Sequence, residues 1–364
     1  MSDDTSEEEA LRESVSEALR AECPLEAVQR GVSENGGELR ERLWRLACEL
    51  GWLGVAVPED LGGSGMARPE LLAIYGELGR HLAPIAFLQT QLVVDALVAS
   101  DATRSRYLEH LVAGELRAAV TLDSVEPLIA RRSGACFHLS AGARLIVDAN
   151  TADLVLLFAE DQEGTALALL AERADLPAIT AESPHDATRT LGRLRLDQHP
   201  VPAERLLAEG AAAEQLRERL MDHAASALAA DSIGGAAAIF DITLEYLKTR
   251  RQFDRPIGSF QALKHRCATL RIRQRAAEAS LLRAREVSTG GFERPSTAAS
   301  IAKFEACDTY LAIAAEAIQL HGGIGFTWEH SCHLFLKRAK LNQVMFGSSG
   351  WHQDRVASLC RGPA

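Results

Sequence analysis

From Leu39 onward the apolar positions Leu39, Leu43, Leu46 and Leu50 recur at helical spacing, predicting a helix that Gly51 ends. Ahead of it, residues 1–36 are acidic and serine-rich, and one helix is expected near Glu8–Ala21 after a frayed start. The stretch Gly54-Val-Ala-Val-Pro-Glu-Asp-Leu-Gly-Gly-Ser-Gly65 reads as a loop. Helices are predicted next near Pro69–His81, Phe87–Ser100 and Arg104–Ala113. After about residue 116 the period changes. Short apolar runs (Ala118–Leu122, Leu145–Val147, Leu154–Phe158, Leu167–Leu170) and an alternation around Leu194 and Leu196 are separated by turn residues. That pattern predicts a small antiparallel β domain. From about residue 209 the period is helical again. Three stripes stand out: Ala229, Ile233, Ala237, Phe240, Leu244, Leu247; then Leu263, Cys267, Leu270; then Ile301, Phe304, Cys307, Leu311, Ala315, Ile318. Long helices joined by short loops predict a bundle. The division that follows is 1–116 helical, 117–208 β, and 209–364 helical bundle.

Composition narrows the function classes. A chain of 364 residues is too long for one simple core, and 47% hydrophobic with 24% charged residues is a globular balance. A net charge of −11 argues against nucleic acid or an anionic membrane as main partner, while leaving room for a small anionic ligand. Seven scattered cysteines without a Cys-x-x-Cys suggest reduced thiols in a cytoplasmic protein. The acidic amino terminus lacks the apolar core of a secretion signal. No apolar run approaches the roughly 20 residues needed to span a bilayer.

The candidate chemistry lies between Tyr246 and Lys340. Tyr246-Leu-Lys-Thr-Arg-Arg-Gln-Phe-Asp-Arg-Pro-Ile-Gly-Ser-Phe-Gln261 opens the stretch, and Ala317-Ile-Gln-Leu-His-Gly-Gly-Ile-Gly-Phe-Thr-Trp-Glu-His330 and Lys337-Arg-Ala-Lys340 close it. A Gly-Gly turn after an apolar helix lets backbone N–H groups approach a ligand. An arginine at a helix end offers a planar fork for phosphate oxygens. Together they suggest a ligand bearing a pyrophosphate. The plainer reading is that Gly-Gly merely ends a helix and the arginine is solvated. His330, Cys332 and His333 hint at a metal but lack a second pair of ligands, so no metal is expected. Cys267 and Cys307 read as core residues, and the His321 side chain as a packed ring beside Gly322. No Walker loop or dinucleotide fingerprint is present.

Those two segments resemble the carboxy-terminal domain of the acyl-CoA dehydrogenase flavoproteins. The likeness extends over the chain: Leu43-Trp44 through Gly65, Asn150-Thr-Ala-Asp-Leu-Val-Leu-Leu-Phe158 and Val201-Pro-Ala-Glu-Arg-Leu-Leu207 are similar to the family's first two domains. The resemblance implies an α+β fold with an N-terminal helical domain, a middle antiparallel β domain and a C-terminal four-helix bundle. It implies FAD as cofactor. It also implies that Arg250, Phe253, Gln261, Gln319, Gly322 and Gly323 grip an FAD bound mainly by a neighbouring subunit.

The same resemblance shows what this chain lacks. The family's base is a glutamate just before a glycine, after the Arg-x-Ala-Lys segment; here Phe346 precedes Gly347. Other members place it on the first helix of the bundle, where Ala224 stands. Neither side chain takes a proton. Asp222 and His223 are neighbours that point elsewhere on a helix and are candidates for a displaced base. A glycine-containing flavin loop is replaced by Val120-Thr-Leu-Asp-Ser-Val-Glu-Pro127, and a Trp-Ile-Thr-like strand by Leu145-Ile-Val147. This asymmetry resembles the non-catalytic subunit of heteromeric acyl-CoA dehydrogenases of steroid and cholesterol side-chain catabolism. In these, two copies of each of two related chains assemble, and only one type supplies the glutamate. The implied partner is a homologous catalytic subunit that carries the acyl-CoA. Three alternatives remain: a self-sufficient homotetrameric dehydrogenase with a displaced base, a flavin monooxygenase on the same scaffold, and a scaffold protein without flavin.

Overall fold

The structure, a computed structural model, describes residues 3–33, 36–66, 68–100, 104–122, 128–288 and 294–361. The amino-terminal helices are α1 (Asp3–Glu22), α2 (Leu25–Ser33), α3 (Gly37–Glu49), α4 (Arg68–Arg80), α5 (Phe87–Ala99) and α6 (Arg104–Val112). The strands are β1 (Ala118–Thr121), β2 (Leu128–Ser133), β3 (Cys136–Val147), β4 (Leu154–Glu160), β5 (Ala166–Glu172), β6 (Thr180–Glu182), β7 (Leu191–Pro202) and β8 (Leu206–Glu209). The helix α7 (Ala211–Thr249) leads through the hairpin β9 (Arg251–Gln252) and β10 (Arg255–Pro256) to α8 (Gln261–Ser288), α9 (Pro295–His321), α10 (Cys332–Val344) and α11 (Ser349–Arg361). By contacts the chain forms two compact units, Met1–Leu39 with Arg68–Ala83 and Ala225–Ala364, and Arg40–Ala67 with Pro84–Ala224.

The single helix expected ahead of residue 36 is two. Pro24 has no N–H to continue the α1 ladder, and its carbonyl instead accepts from Ala27 and Val28 to start α2. Val28 is the residue α2 buries, too little to mark a stripe.

The sheet runs in the order β6-β7-β3-β2-β4-β5-β8, with β1 also paired to β4. Most neighbours are antiparallel, as the alternation predicts, but two pairs are parallel. Residues 118–121 of β1 pair with 154–157 of β4, and Leu128 and Ile129 of β2 pair with Ala159 and Glu160 of the same strand. The two strands therefore lie end to end along one edge of β4, and both must run in its direction. Leu128, Phe137, Leu139, Val155, Leu157, Leu167, Leu169, Leu194 and Val201 form the core of this layer. Thr121 is structural: its hydroxyl accepts from the Phe158 N–H at 3.1 Å. Residues 123–127 of the altered loop lie outside the described residues. In Leu145-Ile-Val147, Ile146 is buried and Leu145 is 58% exposed.

In the bundle, α9 packs against α8, α10 and α11. Small residues let α7, α8 and α9 approach closely through Ala229, Ala277, Ala284, Ala298, Ala302 and Ala306. The third predicted stripe is only partly in phase, with Cys307 and Ile318 buried. Ala315 is exposed and Ile301, Phe304 and Leu311 are half-buried, whereas Ala302, Lys303, Ala306, Cys307, Tyr310, Ile313, Ala314 and Ala317 are buried. An alanine-rich helix carries too little contrast in hydrophobicity to fix its own rotation. An 18-residue window of α7 has mean hydropathy 1.4, enough by length and composition to cross a membrane, but 72% of that window is buried within the fold. That overturns the expectation that no run approaches membrane length, and the burial makes α7 a core helix.

The crossing of α4 on α7 is tighter than side chains permit. A Cβ on Gly234 would lie 1.8 Å from the Gly76 carbonyl oxygen, and one on Gly79 would lie 2.0 Å from that of Asp231. Gly234→Ala is therefore expected to cost about 2–4 kcal/mol, since backbone and not a flexible side chain must move. A stability loss from urea unfolding, the midpoint shift multiplied by m, smaller than about a quarter of that would show that the crossing can relax.

Candidate functional site

The predicted site residues lie at one end of the bundle, where α7 and α9 stop. Arg250 follows the last residue of α7. Its N–H closes the helix on Tyr246 at 2.8 Å, and its carbonyl accepts from Ile257 at 2.8 Å. The backbone is thus fixed while the side chain is exposed, and no hydrogen bond engages its guanidinium among the described residues. Phe253 and Asp254 form the two-residue turn between β9 and β10 with φ of 51° and 60°. Positive φ at both central positions is what a tight hairpin turn requires, and Asn-Gly usually supplies it. A phenylalanine there is strained, and its ring is 85% exposed, edge-on to Phe260 at 6.1 Å. Gln261 begins α8 and is exposed.

Gln319 is exposed on the last turn of α9. Gly322 ends that helix with φ 65° and ψ −139°, a conformation side chains disfavour, and its N–H bonds back to the carbonyls of Gln319 and Ile318. A Cβ on Gly322 or Gly323 would meet nothing within 4 Å. The packing of this chain therefore gives no reason for the bare backbone at Gly323, which leaves an open cradle facing outward. Ile324, Phe326 and Trp328 follow at 41%, 76% and 67% exposure.

What joins these two segments escaped the sequence. The Tyr246 ring stacks on the His321 ring at 4.4 Å, and its hydroxyl donates to the His321 carbonyl at 3.3 Å. Tyr246 lies one helical turn before Arg250, and His321 directly precedes Gly322, so this pair ties the arginine to the glycines. Its signal in the sequence was only a tyrosine one turn from the arginine. His330 and Cys332 also lie against His321.

The loop between α10 and α11 holds no carboxylate at the predicted base position. Phe346 is 2% exposed and has φ of 51°. Two cationic or neutral donors fix the loop. Lys303, without exposure to water, donates through Nζ to the carbonyls of Gln343, at 3.0 Å, and Gly347. His352 donates from Nε2 to the Phe346 carbonyl at 2.9 Å. The acid beside this loop is Asp308, whose Oδ1 already accepts from Gln343 at 2.8 Å and Ser349 at 2.7 Å. Further back, Arg338 meets Asp231 at 3.1 Å, with Asn342 donating to the same aspartate at 2.6 Å.

The alternative base position is equally inert. Ala224 is buried. Its neighbour His223 is 4% exposed and bonds Asp95 at 3.0 Å, while Arg219 donates twice to the same carboxylate. Asp222 is half-buried. An imidazole already tied to a shared aspartate is suited to bracing a helix.

Residues 5–115 and 213–359 match the N-terminal and C-terminal domains of acyl-CoA dehydrogenase. The chain is 35% identical to the acyl-CoA dehydrogenase IpdE2 of Mycobacterium tuberculosis, over 92% of this chain and 91% of that protein. It superposes on the ChsE4–ChsE5 complex from Mycobacterium tuberculosis with a TM-score of 0.89 at 28% identity, covering 98% of both chains. It also superposes on the Tcur3481–Tcur3483 steroid ACAD with a TM-score of 0.87 at 27% identity, again covering 98% of both chains.

His352 gives this site a pH signature. Burial first, then the nearby charges of Lys303 and Arg355, hold its imidazole down to about 3, against the hydrogen bond to Phe346. Between the ordinary histidine range and that value, the unfolded chain takes up a proton the folded chain refuses. Stability therefore falls as pH drops through this window, by up to about 1.4 kcal/mol per unit. In His352→Gln, which retains a donor for the Phe346 carbonyl, the urea midpoint should fall less steeply between pH 6 and pH 4. Equal slopes would place the proton uptake elsewhere.

Proposed function

Because the chain belongs to the acyl-CoA dehydrogenase family, whose members are FAD-dependent oxidoreductases acting on acyl-CoA, we propose that it is the non-catalytic subunit of a heteromeric enzyme. The observation that carries this reading is a contrast. The residues suited to gripping a dinucleotide are intact and turned outward, whereas the position of the base is a buried phenylalanine. When bound, FAD would accept the hydride from the β-carbon while a carboxylate takes the α-proton. This chain would contribute the grip. Arg250 offers two parallel N–H donors to pyrophosphate oxygens. The bare backbone at Gly322–Gly323 admits close approach of the same ligand, and Gln261 and Gln319 supply amide donors and acceptors at its edges. The exposed Phe253 ring would lie against an aromatic or apolar surface across the interface.

The catalytic glutamate, and with it the acyl-CoA, would belong to a homologous partner, two copies of each chain forming the assembly. The ChsE4–ChsE5 complex and the paired Tcur3481–Tcur3483 enzyme support a two-chain arrangement. The word steroid in the second of these names supports a steroid side-chain thioester as substrate. Exposed Ile324, Phe326 and Trp328 beside the grip support a partner at this end of the bundle. The seven free thiols support a cytoplasmic site. We retain three domains, divided near residues 116 and 208.

Coexpression with a family member that carries the glutamate tests the reading. The expected product holds two copies of each chain and about one FAD per pair of unlike chains. Arg250→Ala should weaken flavin retention about tenfold or more, the value of a charge-assisted contact. Gly323→Ala should lower retention too, yet leave the melting temperature of this chain unchanged, because its Cβ meets nothing within 4 Å. A homotetramer with one flavin in every chain that turns over an acyl-CoA would overturn the proposal.

A further inference from the structure

Behind the Gly322–Gly323 turn lies a group of side chains that the flavin reading does not use. His321 ends α9, and His330 and Cys332 flank the start of α10. One donor atom from each lies within 4.8 Å of the other two. His321 and Cys332 are buried, at 3% and 0% exposure, and His330 is half-buried. The spacing His330-x-Cys332-His333 alone falls short of a metal site. The fold replaces His333, whose ring turns to Trp328 at 4.6 Å, with His321 from the preceding helix.

Hydrogen bonding settles the state of His321. Its Nδ1 lies 2.8 Å from the Ala317 carbonyl oxygen, so that nitrogen must carry the proton and donate it. The lone pair is then on Nε2, a buried atom with no hydrogen-bond partner among the described residues. A buried acceptor left without a partner is costly, and a ring fixed through Nδ1 with Nε2 left over is the arrangement of a metal-binding histidine. Cys332 Sγ lies 3.5 Å from Nδ1 of that ring, the Cys332 N–H donates to His330 Nδ1 at 3.3 Å, and the His330 and His321 rings are 4.3 Å apart, so the two imidazoles must turn to bring their free lone pairs onto a shared ion.

We propose that His321, His330 and Cys332 form a binding site for a borderline-soft divalent cation of the Zn²⁺ class, with one position left for water. Two imidazoles and a thiolate match the preference of that ion. Donors around such an ion stand about 3.3–3.8 Å apart, and the three donor atoms here lie within 4.8 Å of one another, so the group must close in and its rings must turn on binding. Binding exchanges the thiol proton of Cys332 for the ion, and the proton leaves to solvent. Because binding releases a proton, the exchange favours higher pH. A bound ion would pin the end of α9 to the start of α10 across the turn that carries Gly322 and Gly323. The site depends on no flavin and no partner.

The test uses the full chain without a histidine tag, freed of metal by chelator and dialysed against micromolar Zn²⁺, with bound metal measured by mass spectrometry. One ion per chain is expected. Co²⁺ should give a thiolate-to-metal charge-transfer band in the near ultraviolet, absent in Cys332→Ser. In that variant and in His330→Gln, chosen because His330 is half-buried, affinity should fall tenfold or more. Their melting temperatures in chelator should match that of the unaltered chain. If Cys332→Ser does not fold, His330→Gln and the cobalt spectrum decide. Less than a tenth of an ion per chain, a cobalt spectrum without the thiolate band, or binding unchanged in His330→Gln would overturn the proposal.

Discussion

Arg338 has no exposure to water, and a guanidinium cannot shed its charge, so the carboxylate of Asp231 must meet it inside the bundle. Much of the site depends on this pairing. Asp231 lies on α7 at the crossing where Gly79 touches its backbone. Asn342, on the same helix as Arg338, donates both to Asp231 and to Ser232. Helix α10 is thus locked to α7 in one rotation. The loop that leaves α10 is then held by Lys303 and His352, which fix the backbone around Phe346.

Two parts of the bundle are treated oppositely by solvent. The loop between α10 and α11 is sealed, with Phe346 and Lys303 both buried. The surface at Arg250, Phe253, Gln261, Gln319 and Gly322–Gly323 is open. The backbone at Phe253 and at Gly322 adopts conformations that bulky side chains resist, and it does so to display an aromatic ring and a bare peptide outward. Local strain of this kind persists where surrounding bonds over-determine it. Here the bonds are the short hairpin pairing of Arg255 with Gln252 and the stack of Tyr246 on His321.

Helices from α3 to α7 and strands β1, β4 and β5 were legible because their apolar spacing is local and strong. Helix α2 was not, because Val28 is the residue it buries. The rotation of α9 was not, because alanines on several of its faces leave no contrast. The parallel pairing of β1 and β2 with β4 was not, because pairing direction depends on how strands meet and not on any one strand's pattern. Within the site, Arg250 and the glycines could be seen as motifs of adjacent residues. Lys303, whose acceptor Gln343 stands 40 residues away, could not.

The sequence by itself determined the kinds of element, their order, and the identity of the side chain at each candidate position, including the phenylalanine at 346. These are properties of single residues or of neighbours within a turn or two. The tertiary structure alone decided which charges are buried and paired, which faces of the helices are open, and that His321 meets His330 and Cys332. Burial and pairing are set by groups brought together from distant parts of the chain, and no local pattern encodes them.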